Sequence, residues 1–123
     1  MSACWKKLQA IAQAEVEATL AALPEPLRCQ AAPLPIAYQA RPDDSLLDDG
    51  YDPDLLGLFV GAAMAETEDS PLPSQIILYL ENIRDFAGDE DEIFRGEIRT
   101  TYLHELGHYL GLDEIDLDER GLG

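Results

Sequence analysis

Basic residues are scarce in this sequence. Eight Lys and Arg stand against 25 Asp and Glu in 123 residues, for a formal net charge of −17. Such a chain repels phosphate backbones and anionic lipid head groups, which argues against nucleic-acid binding and against a membrane-surface role. The same field attracts divalent cations, and it also serves solubility. Cysteine is nearly absent: Cys4 and Cys29 form no C-x-x-C pair, so two free thiols in a reducing compartment are expected. Long apolar runs are missing as well. Lys6 and Lys7 precede a stretch broken by Gln9, Gln13, Glu15 and Glu17. Neither a signal-peptide core nor a membrane span fits there, and the expected location is cytoplasmic.

Apolar residues nevertheless make up 46% of the chain, enough for one modest core. The expectation is a single domain over residues 1–123. Trp5, Leu8, Ile11, Ala12, Val16, Leu20 and Leu23 recur at intervals of three and four. This is the helix period, and it predicts an amphipathic helix from Ala3 to Leu23, stopped by Pro24 and Pro26. Pro33 to Gln39 alternates Leu34, Ile36 and Tyr38, a strand placed at a sheet edge because Pro35 cannot donate to a ladder. An acidic loop is expected from Arg41 to Asp54, then a strand from Leu55 to Val60. The connection from Ala65 to Ser70 leads to a third strand from Gln75 to Leu80. Asn82 to Phe86 is compatible with a helical turn, without a decisive pattern.

The last long element begins in an acid run, Asp89 to Glu92. Asp89 is the expected N-cap, with Glu92 in capping-box register and the other acids near the positive end of the helix dipole. A capped, solvated helix end explains this run better than a cation site does. Ile93, Phe94, Ile98, Leu103, Leu106 and Leu110 form its apolar stripe, and Gly111 supplies a left-handed stop.

Histidine is as scarce as cysteine, and both copies stand on this helix. His104 and His108 are four apart, with Glu105 directly after the first. Residues four apart project from one helix face, so two imidazole nitrogens can reach one ion at about 2.0 to 2.1 Å. Glu105 points about 100° away from His104 around the axis. That is too far for a natural third ligand, but suitable for a base that takes a proton from a zinc-activated water. With no further histidine, the remaining ligand must be a carboxylate or come from outside the chain. Glu114, six residues past His108, is the first candidate, Asp113 the second and Asp116 a weaker third.

His-Glu-x-x-His arises by chance in on the order of one in a few hundred chains of this size. The competing reading is a surface histidine pair without metal, in a metal-free α+β domain. The helix, the glycine stop and the acids that follow favour a metal site. Tyr102 and Tyr109 could reach an oxyanion, but packing against the sheet is the expected role of each. Thr101 could support His104 or bond back to its own helix.

At these residues the sequence resembles the small bacterial zincin-like metallopeptidases, also described as minimal matrix-metalloprotease-like domains. The family motif looks like His104, Glu105, His108, Gly111, Glu114, Leu117 and Gly121. Upstream, Ala22-Leu23-Pro24, Leu56-Gly57-Leu58-Phe59 with Gly61, and Leu72-Pro73 leading into Ile77-Leu78-Tyr79 look like family landmarks. The resemblance implies a compact, minimal zincin-like α+β fold, with a short mixed sheet packed on an N-terminal helix and a C-terminal active-site helix. It also implies Zn2+ on His104 and His108, and Glu105 as general base. Unlike the larger metzincins, the chain has Glu114 where a third histidine would stand, and no methionine follows the motif.

The expected function is therefore zinc-dependent hydrolysis of peptide bonds in a peptide or an unfolded protein segment, which would lie extended along a sheet edge. The alternative is a non-catalytic zinc-binding interaction module with the same fold, since little chain remains after Glu114 to wall a cleft.

Overall fold

The computed structural model describes residues 3–61 and 74–110. Among them are five helices and a three-stranded mixed sheet. Helix α1 (Ala3–Ala22) is rich in alanine and free of glycine and proline, so its propensity is high throughout. Trp5, Leu8, Ala12, Val16 and Leu23 are buried as their spacing requires, with Ile11 and Leu20 partly so.

Pro24 and Pro26 end α1 as expected, but they also open a further short helix, α2 (Glu25–Ala31). Proline in a first turn lacks only an N–H that would have no helical partner anyway. Pro35 lies just outside strand β1 (Ile36–Gln39), and its carbonyl accepts from Ile76 N–H at 3.0 Å.

The expected loop from Arg41 to Asp54 contains another helix, α3 (Asp44–Asp48). The Asp43 side chain caps it by accepting from Leu46 N–H at 3.0 Å. Such a helix is too short to show a hydrophobic period, and the capping aspartate was its one readable signal.

Strands β2 (Gly57–Val60) and β3 (Gln75–Tyr79) fall within the expected runs. The strand order is β1-β3-β2. Strand β1 runs parallel to β3, from Ile36 beside Ile76 to Gln39 beside Tyr79. Strand β2 is antiparallel, from Gly57 opposite Leu78 to Val60 opposite Gln75. The central strand is the one whose residues Ile76 to Tyr79 are all buried, as expected for a strand covered on both faces. β1 lies at an edge of the described sheet, as Pro35 implied.

Leu80 does not extend β3 but opens helix α4 (Leu80–Ala87), which occupies the undecided stretch around Asn82 to Phe86. Asn82 is buried, and its Nδ2 donates to the carbonyls of Pro53 at 2.7 Å and Leu55 at 2.9 Å. Its Oδ1 accepts from Arg41 Nη1 at 2.6 Å. One side chain thus secures the irregular segment that leads into β2.

Helix α5 (Asp91–Leu110) packs against α1, α4, β2 and β3. Its first backbone bond runs from Phe94 N–H to the Glu90 carbonyl at 3.1 Å. The cap position therefore falls on Glu90, not on Asp89 as expected. Asp91 is held instead from outside the helix, by Arg84 at 2.9 Å and Lys7 at 3.3 Å. Ile93 is also corrected: it is 47% exposed, because Phe94 and Ile98 turn the buried face away from it. Phe94, Ile98, Tyr102 and Leu106 are essentially inaccessible. Fully burying each apolar side chain of this size contributes about 1.5 to 3 kcal/mol. Gly111 and the connection from Ala65 to Ser70 lie outside the described residues.

Candidate metal centre

The buried face of α5 determines what the opposite face can present. Thr101, Tyr102, Leu106 and Tyr109 are buried, which leaves His104 and His108 on the exposed side of the same helix. Tyr109 packs on Phe59 of β2, with ring centroids 5.8 Å apart and planes at 60°. This contact fixes the last described turn of the helix against the sheet edge. Tyr102 lies in the core, and burial together with Tyr38 pushes its hydroxyl up to about 12. Both tyrosines pack, as expected.

His104 Nε2 and His108 Nε2 are 3.2 Å apart, and the rings meet edge to face with centroids at 4.8 Å. Two nitrogens bound at about 2.0 to 2.1 Å to one tetrahedral ion would be separated by about 3.3 to 3.4 Å. The observed spacing fits that requirement. Glu105 joins the pair, and the three candidate ligand atoms all lie within 4.8 Å of one another. His108 also stands in the last turn, where the negative end of the helix dipole favours a cation. Two imidazoles beside a carboxylate suit a divalent transition metal.

The half-buried Glu105 owes part of its setting to β2. A Cβ built on Gly57 would meet Glu105 Cγ at 3.4 Å and Thr101 Cγ2 at 2.6 Å. Only a residue without a side chain lets the strand lie this close to the helix. The Leu56-Gly57 landmark thus has a packing reason, which the sequence reading did not supply.

Beside His104 and Glu105 the structure holds a cavity of about 340 Å³. Leu55, Leu56 and Phe86 supply apolar wall, and Glu97 and Thr100 line it from α5. None of these five was expected from the sequence as a site residue, and Leu56 entered only as a family landmark. Glu97 was detectable, since it precedes His104 by seven residues, and two helical turns bring it to the same face. Thr100, four residues before His104 on the same helix, was detectable in the same way, whereas Leu55, Leu56 and Phe86 come from other segments and share no spacing with the motif. Glu114, Asp113 and Asp116, the candidates for the remaining ligand, lie outside the described residues.

Cys4 and Cys29 are free and exposed, as expected. No helix among the described residues is long and apolar enough to cross a membrane.

Among curated proteins none matches the chain significantly. A family model described as zincin-like metallopeptidase matches residues 31–123, which include both histidines and every strand described above. The α+β fold, helix α5 with its His104, Glu105 and His108 cluster, and this match agree, and the chain belongs to the zincin-like metallopeptidases.

Proposed function

We propose that this chain is a zinc-dependent peptidase acting as a single domain on peptides or unfolded protein segments. The observation that carries the reading is the pair of imidazole nitrogens 3.2 Å apart with Glu105 beside them, in a chain of this family. His104 and His108 would hold the ion, and Glu114 is the first choice for the remaining ligand. When bound, zinc supplies Lewis acidity, which makes water a competent nucleophile near neutral pH and polarises a carbonyl.

The chain's own residues do the rest. Glu105 takes a proton from the attacking water as the new C–O bond forms, then delivers it to the leaving amine as the C–N bond breaks. Gly57, without a side chain, lets the strand lie close to the Glu105 side chain. Strand β2 is an edge of the described sheet, and an edge can bind an extended peptide through its backbone. Cytoplasmic location accords with the two exposed thiols.

The test is Glu105→Gln. The variant should keep stoichiometric zinc and lose about 10²- to 10⁴-fold in turnover against a broad peptide library. Undiminished hydrolysis would remove Glu105 from the mechanism. Stoichiometric zinc in the unaltered chain without cleavage of any peptide would favour the non-catalytic module.

A further inference from the structure

The cavity beside His104 is apolar in most of its wall but carries one acid that the hydrolytic mechanism does not use. Glu97 is half-buried and lies two helical turns, about 10.5 Å of axial rise, before His104. Several acids of the described residues have a cation partner: Glu81 and Asp85 pair with Arg41, Asp91 with Arg84, and Glu92 with Arg95. No cation among the described residues pairs with Glu97. A carboxylate in an apolar wall, with no cation partner among the described residues, favours a ligand that brings a positive charge.

From these observations we infer that the cavity receives a lysine or arginine side chain of the substrate and that Glu97 determines this specificity. The assignment rests on the peptidase reading for its ligand class. The methylene stem lies against Leu55, Leu56 and Phe86, and the cationic head reaches Glu97. With the substrate backbone between His104 and Thr100, both of which line the cavity, a long side chain directed along α5 towards its N-terminus ends near Glu97. The cavity volume of about 340 Å³ accommodates it.

Because the net charge of −17 attracts any basic peptide, the discriminating property is position. The probes are short peptides in which one residue is lysine or norleucine, which has a similar stem and no charge, together with an isomer in which lysine is moved two positions. Binding is measured by calorimetry on the zinc-loaded full chain carrying Glu105→Gln. At one position lysine should bind about five- to tenfold more tightly than norleucine, and the shifted isomer should lose that gain. Adding Glu97→Gln should abolish the preference, and Glu97→Lys should transfer it to a glutamate peptide. Equal binding of lysine and norleucine peptides, no binding of either, or the same preference in Glu97→Gln would overturn the assignment.

Turnover by the unaltered chain separates this inference from the peptidase reading. Hydrolysis without positional lysine preference removes the role of Glu97 and keeps the peptidase. Positional binding without hydrolysis keeps the role of Glu97 and removes the peptidase.

Discussion

Gly57 of strand β2 lies so close to Thr101 of helix α5 that a methyl group at position 57 would come within 2.6 Å of Thr101 Cγ2. The contact joins the edge strand to the helix one turn before His104, so the spacing between strand and helix is set beside the site. Gly57→Ala should destabilise the fold by about 1 to 3 kcal/mol, the range for overpacking. Thr101→Ser removes the obstructing methyl and should restore much of that loss in the double variant. Denaturant melts of both single variants and the double variant provide the check, and purely additive losses would contradict the contact.

Asn82 should be as intolerant of aspartate as of alanine. Its Nδ2 serves two backbone carbonyls, Pro53 and Leu55, and neither substitute can donate to them. Each unsatisfied buried acceptor costs about 1 to 3 kcal/mol. Asn82→Asp keeps an acceptor for Arg41, yet it should still lower stability by about 2 kcal/mol or more and speed hydrogen exchange in β2. Near-native stability of that variant would show that the Arg41 contact matters and the two carbonyl bonds do not.

The alkaline limb of stability should depend on buried tyrosine. Burial, with the nearby Tyr38, holds the Tyr102 hydroxyl up to about 12, against an ordinary 10.0. The folded value is the higher one, so this contribution is complete below pH 10 and is lost as pH rises from 10 through about 12. Tyr102→Phe should therefore flatten the loss of stability with pH in that window. An unchanged slope would mean that the hydroxyl ionises as readily in the folded chain as in the unfolded one.

At low pH the relevant group is Asp91. Arg84, and after it Lys7, hold its carboxyl below the ordinary 3.8. The folded value is depressed, so this contribution is present above about pH 4 and disappears as pH falls through the depressed value. Asp91→Asn should reduce the steepness of acid unfolding below pH 4. Because the carboxylate is partly exposed, high salt should narrow the difference between the two proteins.

Metal dependence separates the two histidines from their surroundings. His104→Ala and His108→Ala should each weaken zinc binding by more than the roughly 10- to 100-fold typical of a supporting residue. A Thr100→Ala variant should fall within or below that range. Zinc retention measured after dialysis against a graded chelator gives the order directly, and wild-type retention in His108→Ala would exclude the paired site.

Much of this was legible because it is local. Helices α1 and α5 announce themselves by a period that covalent geometry imposes on any amphipathic helix. β3 reads as a strand because Ile76 to Tyr79 are bulky and apolar in a run of strand length. The short helices α2 and α3, seven and five residues long, span too few turns for a period to emerge. Ile93 shows the complementary limit. Its hydrophobicity placed it in the stripe, but only the orientation of α5 against its neighbours decided which apolar residues went inside.

For the site, the sequence alone determined the histidine pair. An i, i+4 spacing on a regular helix brings two imidazoles together whatever the rest of the molecule does, and the 3.2 Å approach expresses that rule. The tertiary structure decided what faces the pair. It set Gly57 against Glu105, placed β2 at an edge of the described sheet, anchored its lead-in through Asn82, and gathered Leu55, Leu56, Phe86 and Glu97 around one cavity. These residues belong to elements that meet only when distant segments pair and pack. Such contacts follow from the combined burial of the whole core, which no local spacing encodes.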